Sequence, residues 1–393
     1  MHPTATRAAI LLLAGLLPAA CNRGSASDET NAPRHVQVSG TTFVTAGRHF
    51  SWRGITAFRL LEYVARGQEA EAERFLSWAE SQQLTVVRVL AMGQGFMNLS
   101  PSDGRTALPR LLEMAAKHQL HVEIVALAGT RDVAVDLDEH LSGIGVIAAR
   151  HGNAILEIAN EPVHPSQSAD VQRADVLARL RARVPREVPV ALGSVERGEG
   201  FAAGDFVTWH VPRDDRFEGW GHVLEIAQGT GFLRRWNKPV VSDEPIGAGP
   251  GYEPGRRDNM AARFRAAALV TRLAGLGATF HYERGLQATV PDGRELECFS
   301  AWNEAWKLLP ADIESSGTFR RAGDTGAVVA GFRPDDALAV FERQLGDAAW
   351  IVAINPREDF EAKWSPGWTA GRVTRLQGVW LLTARRDARA QVD

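Results

Sequence analysis

Cysteine is nearly absent: among 393 residues only Cys21 and Cys298 carry a thiol. With Cys21 in the extreme N-terminal segment, an exported domain cannot rely on an internal disulfide, and its stability must come from a buried apolar core. Long hydrophobic runs are missing too. The stretch Ala8 to Leu17 is about ten residues, against the ~20 that a membrane-spanning helix needs. Positive charge is not in excess: the formal net charge is −3 and no basic stripe stands out, which argues against a nucleic-acid partner. Tyrosine is scarce, three residues against eleven Trp, so aromatic stacking surfaces must be sought among tryptophans, most of which belong to the core. Internal repeats are lacking, as are low-complexity segments beyond the leader.

What is present fits a large α/β fold. An apolar fraction of 45% supplies a sizeable core. The length suits a (β/α)8 TIM barrel of roughly 250 residues with an appended domain. Arg7, the apolar stretch and Pro18-Ala19-Ala20-Cys21 read as an export signal over residues 1–20. A Cys after two small residues resembles a bacterial lipoprotein cleavage box, with Cys21 as the lipid-bearing residue. Pro18 stands where Leu is usual, and ordinary cleavage near Ala20 is the alternative. The expectation is an exported protein, lipid-anchored at the periplasmic or outer-membrane face of a cell envelope, with residues 21–33 as a flexible linker.

Periodicity supplies the rest. Thr41 to Trp52 alternates around Ala46-Gly47 as a β-hairpin. Apolar strands are expected at 53–58, 85–90, 122–127, 155–162, 188–195, 206–210, 238–245 and 278–282. Helical patterns separate them at 69–82, 108–118, 133–149, 169–183, 221–236 and 259–276. Strands alternating with helices in this way predict a parallel barrel over residues 34–314. The Gly/Pro-rich stretch 247–255 reads as an irregular rim loop. Beyond Glu314, short strands at 328–332, 337–341, 350–354 and 379–383 without helices predict a small β-sandwich-like domain over 315–393. It is expected to cover barrel surface; its Trp364 and Trp368 are weaker hints of sugar binding.

Two acids stand at strand tips. Ile155-Leu-Glu-Ile-Ala-Asn-Glu-Pro162 delivers Glu161, and Lys238-Pro-Val-Val-Ser-Asp-Glu-Pro245 delivers Glu244. In a barrel, side chains at the C-terminal strand ends line the site. Paired carboxyls are what glycosidic cleavage uses, one giving a proton and the other attacking the sugar. Arg88, a cation in the apolar strand Thr85 to Leu90, needs an acidic partner. His210 and His281 end the sixth and eighth strands, and Trp209, Trp220 and Tyr282 are candidate stacking surfaces. Glu123 and Glu157 lie mid-strand, facing either the interior or the helices.

These residues resemble clan A of the glycoside hydrolases, nearest to the family 5 cellulases and mannanases, over about Phe43 to Trp306. The resemblance implies that Glu161 is the general acid/base and Glu244 the nucleophile of a retaining, cofactor-free mechanism. It further implies that Asn160 bonds the sugar hydroxyl beside the reacting carbon, that Arg88 pairs with Glu244, and that His210 orients the nucleophile. An oligo- or polysaccharide is the implied substrate. His281 departs from the family, whose eighth strand carries a Trp beneath the sugar, and Asp243-Glu244-Pro245 departs from the usual sequence after the nucleophile. Two other readings remain open: a metal-dependent barrel hydrolase with Glu161, His210, Glu244 and His281 as ligands, and a lipoprotein that binds polysaccharide without cleaving it.

Overall fold

The protein is described here by a computed structural model covering residues 35–95, 97–195, 198–211, 219–244, 247–248 and 260–387. The leader, the linker and Cys21 lie outside the described residues, as do 249–255 of the expected rim loop.

Eight parallel strands form the barrel: Arg53–Thr56, Val86–Leu90, His121–Leu127, Ala154–Ala159, Val190–Ala191, Val207–Trp209, Val240–Ser242 and Gly277–Tyr282. They run five-four-three-two-one-eight-seven-six around the sheet. The ring closes between strands five and six through a parallel bridge, Ser194 to Thr208, with Val195 N–H donating to Thr208 O at 3.2 Å. Both faces of each strand are covered, one by interior side chains and one by helices, so the strands are almost wholly buried. Residues two apart share a face. Val86, Ile155, Phe206 and Val241 therefore form an apolar inner floor with Trp52, and Arg88, Glu157, Thr208 and Asp243 form a polar layer directly above.

That floor is closed from below by the N-terminal hairpin. Its strands Gln37–Ser39, Thr42–Thr45 and Arg48–His49 pair antiparallel, and Phe43 packs on Trp52 and Phe206 with ring centroids 5.1 and 5.3 Å apart.

Several expected elements end differently. Strand four stops at Ala159, so Asn160 and Glu161 lie on the turn beyond it. Regular pairing in strand five is confined to Val190–Ala191. The expected helix 221–236 is two helices, Gly221–Ile226 and Gly229–Trp236, with a turn at Ala227-Gln228. The helix before strand three begins at Pro101, earlier than periodicity suggests, because Ser100 caps it by accepting from Asp103 N–H, with Pro101 at the first position. The stretch expected to hold no regular structure contains a short strand, Gly247–Ala248, paired parallel to His281–Tyr282. A further helix, Gly293–Trp306, completes the eighth β/α unit by packing Phe299 and Trp302 on Phe280.

The C-terminal segment is antiparallel. Thr318–Arg321, Ala339–Leu345, Ala348–Ile354, Val379–Arg386 and Trp368–Leu376 form a five-stranded sheet in that order, and Val329–Gly331 pairs with Lys363–Trp364 in a two-stranded one. One face of the larger sheet, with Val340, Ile351 and Leu382, packs on Val328, Val329 and Phe360. The other face, with Phe341, Val352, Ile354 and Leu381, joins the main core. This is the sandwich-like appendage expected from the sequence. Arg343 fastens it, donating to Leu273 O at 2.7 Å, to Glu314 O at 3.2 Å and to Ser316 O at 2.5 Å. Among the described residues no helix is long and apolar enough to cross a membrane.

Candidate active site

The turn after strand four is built to hold Glu161. Its φ is +40°, a left-handed conformation that a non-glycine residue adopts at a cost of about 1–2 kcal/mol. Gln167, buried beneath it, donates from Nε2 to Asn160 O at 2.5 Å and accepts at Oε1 from Thr130 Oγ1 at 2.9 Å. His164 N–H closes the turn on Glu161 O at 2.8 Å. Pro162 packs so closely on Gly193 that a Cβ there would sit 2.3 Å from Pro162 Cγ and 2.6 Å from Ala159 O. Nothing in the sequence singles out Gln167 or Gly193, because their partners are brought together only by the fold.

Strand seven ends at Ser242 and carries Asp243 and Glu244 to the rim. Glu161 and Glu244 meet there: their carboxylate oxygens and a ring nitrogen of His210 all lie within 4.8 Å of one another. Glu161 is about one-third exposed and Glu244 mostly buried. Arg88, fully buried, joins the pieces. It donates to Glu244 Oε1 at 2.7 Å, Glu157 Oε2 at 2.6 Å and Asn160 Oδ1 at 3.0 Å. Asn160 is thereby oriented by its carbonyl, with its amide NH2 left to donate. Glu123 and Asp243 approach Arg88 Nε at 3.6 and 3.7 Å. The guanidinium also lies over Phe58, 5.3 Å from the ring centre.

Electrostatics follow from this packing. Burial disfavours the Arg88 cation, but Glu157, Asp243, Glu244 and Glu123 together hold its pKa well above the ordinary value. His210 is buried, with Nδ1 at 3.7 Å from Glu161 Oε1 and 3.9 Å from Glu244 Oε2, ion contacts too long for hydrogen bonds. Burial opposes its imidazolium, yet Glu244 and Glu161 outweigh burial and raise its pKa to about 9. The reciprocal effect lowers Glu161, with His210 as the main cause and burial opposing.

Arg88, Asn160, Glu161, His210 and Glu244 are thus one constellation. His281 faces the barrel interior from strand eight, its Nδ1 at 3.1 Å from Thr56 Oγ1. Trp209 and Tyr282 are not stacking surfaces. Each is one residue from an inward-facing His and so points outward: Trp209 packs edge-on against Phe232, and Tyr282, fully buried beside Phe280, donates to Thr289 O at 2.7 Å. Trp220 is likewise buried, beneath the Arg263 guanidinium. Glu123 and Glu157 face inward, and Thr208 Oγ1 donates to Glu157 Oε1 at 2.8 Å.

The donor grouping Glu161, His210 and Glu244 is compact enough for a small cation. His281, the fourth ligand of the metal-hydrolase reading, is outside that grouping. Any ion would compete with the Arg88 guanidinium already seated on Glu244, a poor fit to a resident metal.

Neither a protein-family model nor a curated protein sequence matches the chain. Solved structures do. A glycoside hydrolase family 5 structure from Bacteroides vulgatus superimposes with a TM-score of 0.57 at 14% identity, covering 92% of this chain and 95% of that one. A beta-glucanase from Saccharophagus degradans, solved with cellotetraose, gives 0.53 at 10% identity over 71% of this chain and 95% of its own. A family 5 mannosidase from Rhizomucor miehei gives 0.52 at 10% identity over 70% and 98%. At these identities the likeness is one of fold. In the first case it reaches past the barrel into the β-rich C-terminal segment.

Proposed function

We propose that the protein is a retaining glycoside hydrolase acting on an oligo- or polysaccharide, with Glu244 as nucleophile and Glu161 as general acid/base. The observation that carries this reading is the spacing of the two carboxylates, within 4.8 Å at their nearest oxygens, at the C-terminal mouth of the barrel. Retaining enzymes need carboxyl groups about 5–5.5 Å apart, whereas inverting enzymes leave room for a water between them. Glu244, held by Arg88 as a carboxylate, attacks the anomeric carbon while Glu161 protonates the departing oxygen. The glycosyl–Glu244 ester has lost its negative charge, and Glu161, now ionised, draws a proton from the water that releases the sugar. Asn160 donates its amide to a sugar hydroxyl. In the free site the Glu161–His210 couple holds the transferable proton, so the apparent pKa governing the first step belongs to the pair. The barrel fold shared with a mannosidase and a beta-glucanase supports a carbohydrate substrate.

Aryl glycosides and polysaccharides, screened with wild type, Glu244→Gln and Glu161→Ala, test the reading. Glu244→Gln is expected to release no sugar. Glu161→Ala loses about 10²–10⁴-fold on substrates with poor leaving groups and with azide yields a glycosyl azide of retained configuration. A protein that binds polysaccharide but releases no sugar from any of these substrates would be the binding lipoprotein instead. Catalytic loss on chelation would restore the metal reading. Export and lipidation at Cys21 belong to the same proposal, supported by the leader's sequence: palmitate labelling is expected in wild type and absent from Cys21→Ser.

A further inference from the structure

Four carboxyl groups face one guanidinium inside the barrel, and two of them have no evident place in the chemistry. Glu157 and Glu244 take guanidinium N–H groups in short hydrogen bonds. Glu123 and Asp243 do not; at 3.6 and 3.7 Å from Arg88 Nε they are beyond hydrogen-bonding distance. Both are fully buried. Among the described residues, no donor serves either oxygen of Glu123 or Oδ2 of Asp243, while Asp243 Oδ1 accepts from Thr279 Oγ1 at 3.1 Å. Strands three and seven lie opposite each other in the ring, and the two carboxyls converge from its two sides on the same atom, Arg88 Nε. Two buried carboxylates brought to one atom repel; a single proton shared between them would relieve that repulsion and supply the missing donor.

We propose that Glu123 and Asp243 share a proton across the barrel interior and serve as positioning residues that leave the Arg88 charge to Glu157 and Glu244. This rests on Glu244 being the nucleophile. Were both acids ionised, one guanidinium would be divided among four carboxylates, and the negative charge beside Glu244 would disfavour the ionised form in which it attacks. The groups facing Asp243 are Arg88 on strand two, Glu123 on three, Glu157 on four, His210 after six and Thr279 on eight. Burial is the main cause that raises Asp243 to about 7, with Arg88 opposing and Glu157 reinforcing. Burial likewise places Glu123 well above the ordinary carboxyl range.

Infrared spectroscopy of the intact protein tests the proton directly. Wild type at neutral pH is expected to show a protonated-carboxyl C=O band that is lost in Asp243→Asn and in Glu123→Gln, and lost in wild type on alkaline titration. Kinetics test the positioning. Asp243→Ala is expected to lower kcat by about 10–100-fold, the scale of an ångström misplacement of a reacting group, with KM little changed. Asp243→Asn, whose amide can replace the shared proton as donor, recovers most of the loss. A band absent from wild type, or one unmoved by both substitutions, overturns the shared proton whether or not the protein cleaves sugars. An Asp243→Asn variant no better than Asp243→Ala overturns the positioning role. Sugar hydrolysis that survives Glu244→Gln would instead sink the nucleophile assignment while leaving the infrared result standing.

Discussion

Glu161 occupies a backbone conformation its residue type disfavours, and that strain is separable from its chemistry. Glycine adopts φ near +40° freely, so Glu161→Gly is expected to be more stable than Glu161→Ala by about 1 kcal/mol, both variants lacking the carboxyl proposed as the acid/base; paired urea melts read the difference. His210 gives a pH signature. Its carboxylate neighbours raise its folded pKa from 6.5 to about 9, so the folded state holds a proton that the unfolded chain releases. That stabilisation is complete below pH 6.5 and lost as pH rises through about 9. A melting-temperature profile of His210→Asn is therefore expected to lack the part of the decline that wild type shows across this window. The residues of the candidate site were legible where strand position alone decides: Arg88, Asn160, Glu161 and Glu244 sit at or near barrel-strand ends, and Arg88 does pair with Glu244. Trp209 and Tyr282 fail as sugar platforms for a reason equally local. Strand alternation turns them outward once His210 and His281 face in.

At the scale of elements, the turn after strand four depends on strand five. A Cβ at Gly193, whose own φ is +145°, would collide with Pro162 and the Ala159 carbonyl. Gly193→Ala is expected to cost about 1–3 kcal/mol and to lower kcat by displacing Glu161, visible as a reduced denaturation midpoint together with reduced turnover. The helix cap at Ser100 is a smaller lever, Ser100→Ala costing about 1 kcal/mol in the same measurement. Periodicity gave the order and type of the strand-helix units, since each buries one face in a repeating way. It failed at ends set by tertiary contact. Strand five pairs regularly for only two residues because its continuation bends to bridge Thr208. The helix Gly293–Trp306 carries Phe299, Trp302 and Trp306 at three- and four-residue spacing, a pattern readable once the eighth strand is recognised as needing a partner.

At the scale of the whole molecule, the C-terminal sheet is part of the main core: Phe341, Val352 and Leu381 continue the apolar surface that includes the helix Ala261–Ala274. Ending the chain after Ser316 is expected to yield insoluble or dye-binding protein, judged by ANS fluorescence. Arg343→Met, which strips three backbone carbonyls of their donor, is expected to lower stability by about 1–3 kcal/mol in urea titration without altering KM. The hairpin at the other end has a different consequence. With Phe43 and Trp52 plugging the base and the Arg88 layer filling the interior above, the barrel is a blind well. In the proposed mechanism the leaving group then departs, and the attacking water arrives, by the same opening. If Glu244 carries the sugar as proposed, an alcohol entering in the water's place would capture it, so a transfer product is expected to grow at the expense of free sugar as acceptor concentration rises.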